Sequence, residues 1–378
     1  MSAWPGKYVI GLTGNIATGK SVVRRMLEHL GAYGIDADAL GHRAIAQDAP
    51  GYRPILDTFG KWVLGSDGQI DRARLSRVVF SDPEALAQLE AIVHPLVGQA
   101  IDILIRRSPR PVIVLEAIKL IEAGLNQQCD SLWVTYAPQE VQLARLMQKR
   151  NMSEAAARQR IQAQPPQEQK TATARVVIQN SGSFEDSWRQ VVAAWQATLP
   201  ASLAQFETPA KAARKDELAA ERARPRQAAE IAELITRLSK GRRRLGREDV
   251  MASFGDKAFL ILRMNGKPVG VAGWKVENLV ARTDELYLED GIPFAEALRA
   301  FMQEVEQTSR ELQCEASLLF LPADLAHQDA VLKSLGYQPS SVQSLGVRAW
   351  QEAAIESRPA HSVMLFKQLR QDRVLRPV

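Results

Sequence analysis

The chain has 378 residues, 46% of them hydrophobic and 24% charged, proportions of a folded globular protein rather than a disordered or fibrous one. That length favours two domains over a single core. The formal charge of +5 suits anionic small ligands without amounting to a nucleic-acid signature, and two cysteines make no metal or disulfide framework.

The first predicted element is a strand over 8–12. It leads into Gly14-Asn15-Ile16-Ala17-Thr18-Gly19-Lys20-Ser21, a full match to GxxxxGK[ST], which opens a helix continuing Val22-Val23-Arg24-Arg25. Glycines let successive backbone N–H groups turn toward phosphates. Lys20 then reaches the β- and γ-phosphates, Ser21 ligates Mg²⁺, and the helix adds its positive end. The alternative is a glycine-rich turn that binds nothing; the flanking strand and helix favour a nucleoside triphosphate site.

Further strands are predicted at 34–36, 111–115, 131–135 and 176–179, short and apolar as parallel strands buried on both faces are. Helices at 83–107, 139–148 and 153–162 alternate with them, giving a doubly wound α/β domain over 1–198. Residues 199–226, rich in Ala, Glu, Lys and Arg and punctuated by Pro200, Pro209 and Pro225, read as a solvated, partly helical linker. A second domain over 227–378 follows. Its helix at 227–240 leads to the basic turn Gly241-Arg242-Arg243-Arg244. A hairpin at 258–263 and 268–274 turns at Asn265-Gly266. Then come a strand at 285–288, a helix at 294–312, a strand at 317–321, a short helix at 329–335 and a strand at 362–369. No apolar run approaches the ~20 residues that span a bilayer. No membrane association is expected, and the cysteines read as reduced thiols of a cytoplasmic protein.

Several segments narrow the nucleotide reading. Ile35-Asp36-Ala37-Asp38 ends the second strand, and Asp71-Arg72-Ala73-Arg74-Leu75 precedes a long helix containing His94-Pro95. Leu115-Glu116-Ala117-Ile118-Lys119-Leu120-Ile121-Glu122-Ala123-Gly124 follows the third strand. Arg145 and Arg150 come before Asn151-Met152-Ser153, and Ile178-Gln179-Asn180-Ser181-Gly182 closes the core. In this order and spacing, residues 6–198 closely resemble the dephospho-coenzyme A kinase family.

The resemblance implies a P-loop, nucleoside-monophosphate-kinase-like parallel sheet with acceptor-binding helices and a mobile lid. It implies ATP- and Mg²⁺-dependent phosphorylation of the ribose 3′-hydroxyl of dephospho-coenzyme A. The expected ATP contacts are Asn15, Ala17, Thr18, Gly19, Lys20, Ser21, Val22, Arg145 and Asn180, with Ser21 on the metal. The expected acceptor contacts are Asp36, Asp38, Arg72, His94, Lys119 and Glu122. Asp38, Lys20 and Arg150 carry the catalysis. A carboxylate at a strand's C-terminal end suits Asp38 to take or orient the hydroxyl proton; the alternative is a cap for a helix over 39–46, and the place of Asp36 and Asp38 at the phosphate end of the sheet favours the first. Asp36 is the alternative holder of Mg²⁺ through water. Cations must close over the transferring group, and Arg150 is the first choice, while Arg158 and Arg160 suit a lid or a solvated face equally. His94 caps or packs a helix turn if it does not touch the acceptor. The chain departs from the family pattern at Ile118-Lys119-Leu120, where bacterial members carry Pro-Leu-Leu. It departs again at Gln179, where an acid is usual, and at Ala17 and Thr18, where Gly and Ser are commoner.

Residues 227–370 resemble, more distantly, a GNAT-type N-acyltransferase of α+β fold. The place of that family's pyrophosphate loop reads Leu288-Glu289-Asp290-Gly291-Ile292-Pro293-Phe294, with one glycine and two acids. The position of its general-acid tyrosine falls at Leu332. The sequence thus argues for the fold and against acyl transfer, with an active N-acyltransferase as the alternative; it leaves a sensor of a coenzyme A-type ligand, an assembly element, with a homo-oligomer as one form of it, or a binder of an acidic partner through Arg242–Arg244 and Arg247, a run that otherwise reads as a solvated turn. For the whole chain, another small-molecule kinase of the same fold and a nucleotide-gated regulator are the competing readings.

Overall fold

The computed structural model describes residues 3–79, 81–204, 217–326 and 329–375. In the first half, β1 (Tyr8–Thr13) leads to α1 (Lys20–His29), and β2 (Tyr33–Asp36) to α2 (Ala37–Ala44). Three further helices, α3 (Tyr52–Phe59), α4 (Arg72–Val79) and α5 (Pro83–Arg107), precede β3 (Val112–Glu116) and β4 (Ser131–Tyr136). Then follow α6 (Gln139–Arg150), α7 (Glu154–Gln162), α8 (Gln167–Thr171), β5 (Val176–Gln179), α9 (Phe184–Thr198) and α10 (Ala201–Ala204).

The five strands form one parallel sheet in the order β2-β3-β1-β4-β5. Apolar side chains on both faces explain why: Ile10, Leu12, Val112 and Val114 pack under α1 and α9, whereas Val9, Ile113 and Leu115 pack against α2 and α5. All five residues of β3 are buried. By length and composition α5 could cross a membrane, but its Ile101, Leu104 and Ile105 are buried against the sheet. The five predicted strands are all present, within a residue or so at each end. Their C-terminal ends converge on the turn between β1 and α1, where α/β sheets of this kind bind ligands.

The second half begins earlier than its composition suggests. Within the stretch read as a linker, β6 (Leu218–Arg222) pairs antiparallel with β7 (Ala258–Met264). Leu218 and Ala220 lean on the core, so an Ala- and Glu-rich segment becomes an edge strand through tertiary packing. Pro209 and the rest of 205–216 lie outside the described residues. Between these strands sit α11 (Ala228–Leu238) and α12 (Arg247–Ser253). Beyond them are β8 (Lys267–Glu277), β9 (Val280–Leu288), α13 (Phe294–Glu311), β10 (Ala316–Pro322), α14 (Ala323–Ala326), α15 (Asp329–Ser334), β11 (Gln338–Pro339), α16 (Arg348–Ser357) and β12 (Ser362–Gln368).

The sheet order is β11-β12-β10-β9-β8-β7-β6, antiparallel except for the β9–β10 pair. This is the helix, hairpin, strand, helix, strand order that the acyltransferase resemblance implies. The strand predicted at 285–288 starts five residues earlier, at Val280. The polar run Arg282-Thr283-Asp284 hides it, yet Arg282 is fully buried and pairs with Glu277 at 2.8 Å and Glu356 at 3.0 Å. Part of the basic stretch is taken up within the fold: Arg243 pairs with Glu285, and Arg247 with Glu185 at 2.9 Å, while Arg242 and Arg244 are exposed.

The halves share an extensive contact. Leu279, Leu312 and Leu375 pack into the first half's core, and Phe184 packs against the second half's α11–α12 cluster. Polar ties accompany them: Arg25 Nη1 donates to the Val276 carbonyl at 3.1 Å, and His29 Nε2 meets the Phe254 carbonyl at 2.8 Å. Arg110 pairs with Glu311 at 2.6 Å.

Candidate active site

The turn between β1 and α1 is built by its glycines and its neighbours. Gly14 has φ +151, and a Cβ there would sit 2.4 Å from Thr135 Oγ1. Gly19 has φ +93, and a Cβ there would fall 1.8 Å from Asn180 Nδ2. Both positions need the missing side chain. Thr18 Oγ1 binds the Asn15 carbonyl at 2.8 Å and meets Thr135 Oγ1 at 2.7 Å, which closes the loop from beneath.

Asn180 and Arg145 brace the same loop from the side. Asn180 Nδ2 donates to the Thr18 carbonyl at 2.8 Å. Arg145 donates to the Ala17 carbonyl at 3.1 Å and the Asn180 carbonyl at 2.8 Å. The Asn15 side chain turns away from the loop, donating to the Pro165 carbonyl at 2.8 Å. Val22 is half-buried in the first turn of α1.

Lys20 is buried, and its ammonium donates to the Gly14 and Asn15 carbonyls at 3.0 and 3.2 Å. Burial lowers its pKa, while Glu116, Asp38 and Asp36 pull the other way. Those three carboxylates come from two neighbouring strand ends, Glu116 from β3 and Asp36 and Asp38 from the end of β2 and the start of α2. Glu116 ends β3 and is 3% exposed; it accepts from Ser21 Oγ at 2.9 Å and from Arg24 Nε at 2.6 Å. Asp36 ends β2 and is pushed up to about 6 by burial and by the Glu116 charge.

Asp38 does not cap the helix. The helix starts at Ala37, and the cap is Asp36, whose Oδ1 accepts from the Ala39 N–H at 2.9 Å. Asp38 instead accepts the Ile118 N–H on Oδ2 at 3.0 Å, and among the described residues its Oδ1 takes no hydrogen bond. Burial raises its pKa. The Ile118 carbonyl is held in turn by Thr13 Oγ1 at 3.1 Å and by Lys170 Nζ.

The remaining expected residues lie around this centre. Glu122 pairs with Lys170 at 3.2 Å, and Lys119 is held by Glu90 of α5 at 3.1 Å. Arg72 is exposed at the start of α4, and His94 is exposed on α5. Arg150 is exposed at the last position of α6, where Asn151 takes the left-handed conformation, φ +49. Among the described residues neither Arg72 nor Arg150 has an ion-pair partner. Arg158 belongs to an exposed pair with Glu154 at 2.7 Å within α7.

Glu116, Arg24 and Lys170 join the centre without having been singled out. Glu116 had a signal, a lone acid ending an otherwise apolar strand beside the P-loop strand. Lys170 had none, since its partner carbonyl is 52 residues away.

A hydroxyl and nearby carboxylates make an all-oxygen set of the kind Mg²⁺ prefers. Among the described residues no group of three or more His, Cys, Asp or Glu could hold a metal ion by itself.

A model of the dephospho-CoA kinase family matches residues 8–186. A dephospho-CoA kinase of Geobacter metallireducens is 44% identical over 191 residues, which is 50% of this chain and 95% of that relative. The solved dephospho-CoA kinase from Campylobacter jejuni is 28% identical, covering 51% of this chain and 98% of its own, with a TM-score of 0.35. A solved GNAT-family acetyltransferase from Staphylococcus aureus Mu50 is 12% identical, covering 40% of this chain and 99% of its own, with a TM-score of 0.31.

Proposed function

The chain belongs to the dephospho-CoA kinase family, and on that premise we propose how its residues move a phosphoryl group from ATP to the ribose 3′-hydroxyl of dephospho-CoA. The observation that carries the reading is the open Oδ1 of Asp38, set among Lys20, Ser21 and Glu116 at the ends of β1, β2 and β3.

The loop from Gly14 to Ser21 supplies backbone N–H groups to the phosphates. Lys20 leaves the Gly14 and Asn15 carbonyls for the β- and γ-phosphates, a short swing because its stem is already fixed. Asp38, held by the Ile118 N–H, takes the proton of the attacking hydroxyl on Oδ1. The ribose oxygen forms the new P–O bond, and the bridging P–O bond to the β-phosphate breaks with its electron pair leaving on ADP. Raising the Asp38 pKa by burial makes it a stronger base once ionised. Ser21 would hold Mg²⁺, with Glu116 and Asp36 reaching its water; when bound, the ion screens the charge of the phosphates. Arg150, free at the joint between α6 and α7, is the cation placed to close over the transferring group. Arg72, His94, Lys119 and Glu122 surround the acceptor side.

The kinase unit is 1–198, and the second unit, 227–378 with β6 added, does no acyl transfer. Leu332 is buried where a proton donor is needed, and Glu289 and Asp290 are paired with Arg237 and Lys240. The free thiols Cys129 and Cys314 suit the reducing cytoplasm.

The test is ADP release with ATP and Mg²⁺, offering dephospho-CoA against AMP, dTMP and adenosine. Strong dependence on dephospho-CoA with CoA as product is expected. Turnover of another acceptor in preference, or none, would overturn the reading.

A further inference from the structure

A cavity of about 270 Å³ lies between the two halves of the chain. One wall is α2 from Ala39 onward, together with Arg72. The other is the start of α16, Gly346 to Ala349, with Asn278 between them. The size is just below the roughly 300–1,000 Å³ of whole-ligand pockets, so it suits part of a ligand.

Its position relative to Asp38 is fixed by helix geometry. Ala39 is the next residue of α2, and His42, another lining residue, follows Asp38 by four positions and so shares its face about 6 Å along the axis. A molecule whose hydroxyl meets Asp38 and whose remainder runs along this face enters the cavity within one helical turn.

The lining chemistry is that of an anion site. Arg72 stands without an ion-pair partner among the described residues. Among the described residues Arg348 pairs with Glu352, one turn away at 2.8 Å, a half-buried pair within one helix. The ten-residue α16 starts at Arg348, after Val347, with no side-chain cap; the Trp350 N–H turns back to the Val347 carbonyl at 3.0 Å, while among the described residues the N–H groups of the lining residues Arg348 and Ala349 meet no acceptor. Of the acids in the lining, Glu352 is held by Arg348 and Glu356 by Arg282 at 3.0 Å; Asp48 is the third. The amides of Gln47 and Asn278 complete a polar lining.

We propose that this cavity receives the diphosphate-bearing arm of the acceptor, with Arg348 and the α16 N-terminus of the second half closing on it opposite Arg72. The proposal rests on the dephospho-CoA reading. Dephospho-CoA carries its reacting hydroxyl and its 5′-diphosphate arm on one ribose, and the arm continues into amide groups; the lining offers arginines to the diphosphate and the Gln47, Gln69 and Asn278 amides to the arm beyond it. The second half is then a wall of the kinase's acceptor site, which gives the fusion a function without any acyl transfer.

The experiment is steady-state kinetics of Arg348→Glu and Arg348→Lys in the full chain, varying dephospho-CoA and ATP separately. Arg348→Glu is expected to raise KM for dephospho-CoA at least tenfold, with kcat at saturation and KM for ATP within twofold, and Arg348→Lys to recover most of the loss. If Arg348→Glu does not fold, Arg72→Glu reads the same KM from the opposite wall. An unchanged KM for dephospho-CoA, or parallel rises in both KM values, overturns the proposal. Absence of dephospho-CoA turnover by the unaltered chain is a separate result, seen before any variant is made, and removes the reading beneath it.

Discussion

Arg43 of α2 and Glu315, just before β10, lie 272 positions apart in the chain and meet at 2.6 Å with neither side chain more than 9% exposed. Arg43 also donates to the Asn278 carbonyl at 3.1 Å, and the Glu315 N–H donates to the Leu279 carbonyl at 2.8 Å. The helix that carries Asp38 in its first turn is thus anchored at its last turn by the second half. Removing one partner leaves a buried charge without compensation, a loss of about 3–5 kcal/mol. Glu315→Ala is expected to lower stability by that order in denaturant unfolding. The double change Arg43→Met with Glu315→Leu should cost less than either single change.

His29 gives the contact between halves a pH dependence. Its Nε2 donates to the Phe254 carbonyl, so its buried Nδ1, which has no partner, is where a proton must go. Burial, with the Arg222 charge beside it, holds its pKa at about 3; Arg25 adds to this and Glu28 opposes it. The unfolded chain binds that proton near pH 6.5. The folded state therefore binds fewer protons below that pH. His29 stabilises the fold above about 6.5 and loses that contribution as pH falls toward 3, by at most about 1.4 kcal/mol per unit. His29→Gln should flatten this part of the stability profile, measured as unfolding free energy between pH 7 and pH 4.

Gly19→Ala tests the loop. At φ +93, with a Cβ 1.8 Å from Asn180 Nδ2, the alanine must displace Asn180 and its bond to the Thr18 carbonyl. ATP affinity, read by calorimetry, is expected to fall by at least tenfold. Gly68→Ala, at φ +74 but with nothing within 4 Å of the added Cβ, should leave ATP affinity unchanged.

Asp38→Asn separates catalysis from binding. The amide keeps the shape and still offers an oxygen to the Ile118 N–H, but it cannot take a proton. Loss of this general base should lower kcat by about 10²–10⁴, with the ATP dissociation constant little changed. A nucleotide-gated regulator would show no such split.

Much of the site was legible because local chemistry forces it. A GxxxxGK[ST] turn between an apolar strand and a helix has one geometry, and Gly14 to Ser21 adopt it whatever follows. The five parallel strands were equally plain, since burial on both faces leaves short apolar runs. Asp36 and Asp38 were visible as a pair, but their division of labour was not. Which carboxylate caps α2 depends on where the helix starts, and the Ile118 N–H that claims Asp38 lies 80 residues away.

The sequence by itself determined the nucleotide loop, the order of the strands along the chain and the kinase family, because these rest on residues close together in the chain. Tertiary structure alone decided that β6 leaves the linker for a sheet edge and that the polar run Arg282-Thr283-Asp284 is a buried strand. It also decided that Glu116 faces Ser21, and that the second half grips α2 through Arg43. The reason is physical: each depends on a partner supplied from elsewhere in the chain, and partners from 38 to 272 positions away leave no periodicity or spacing to read.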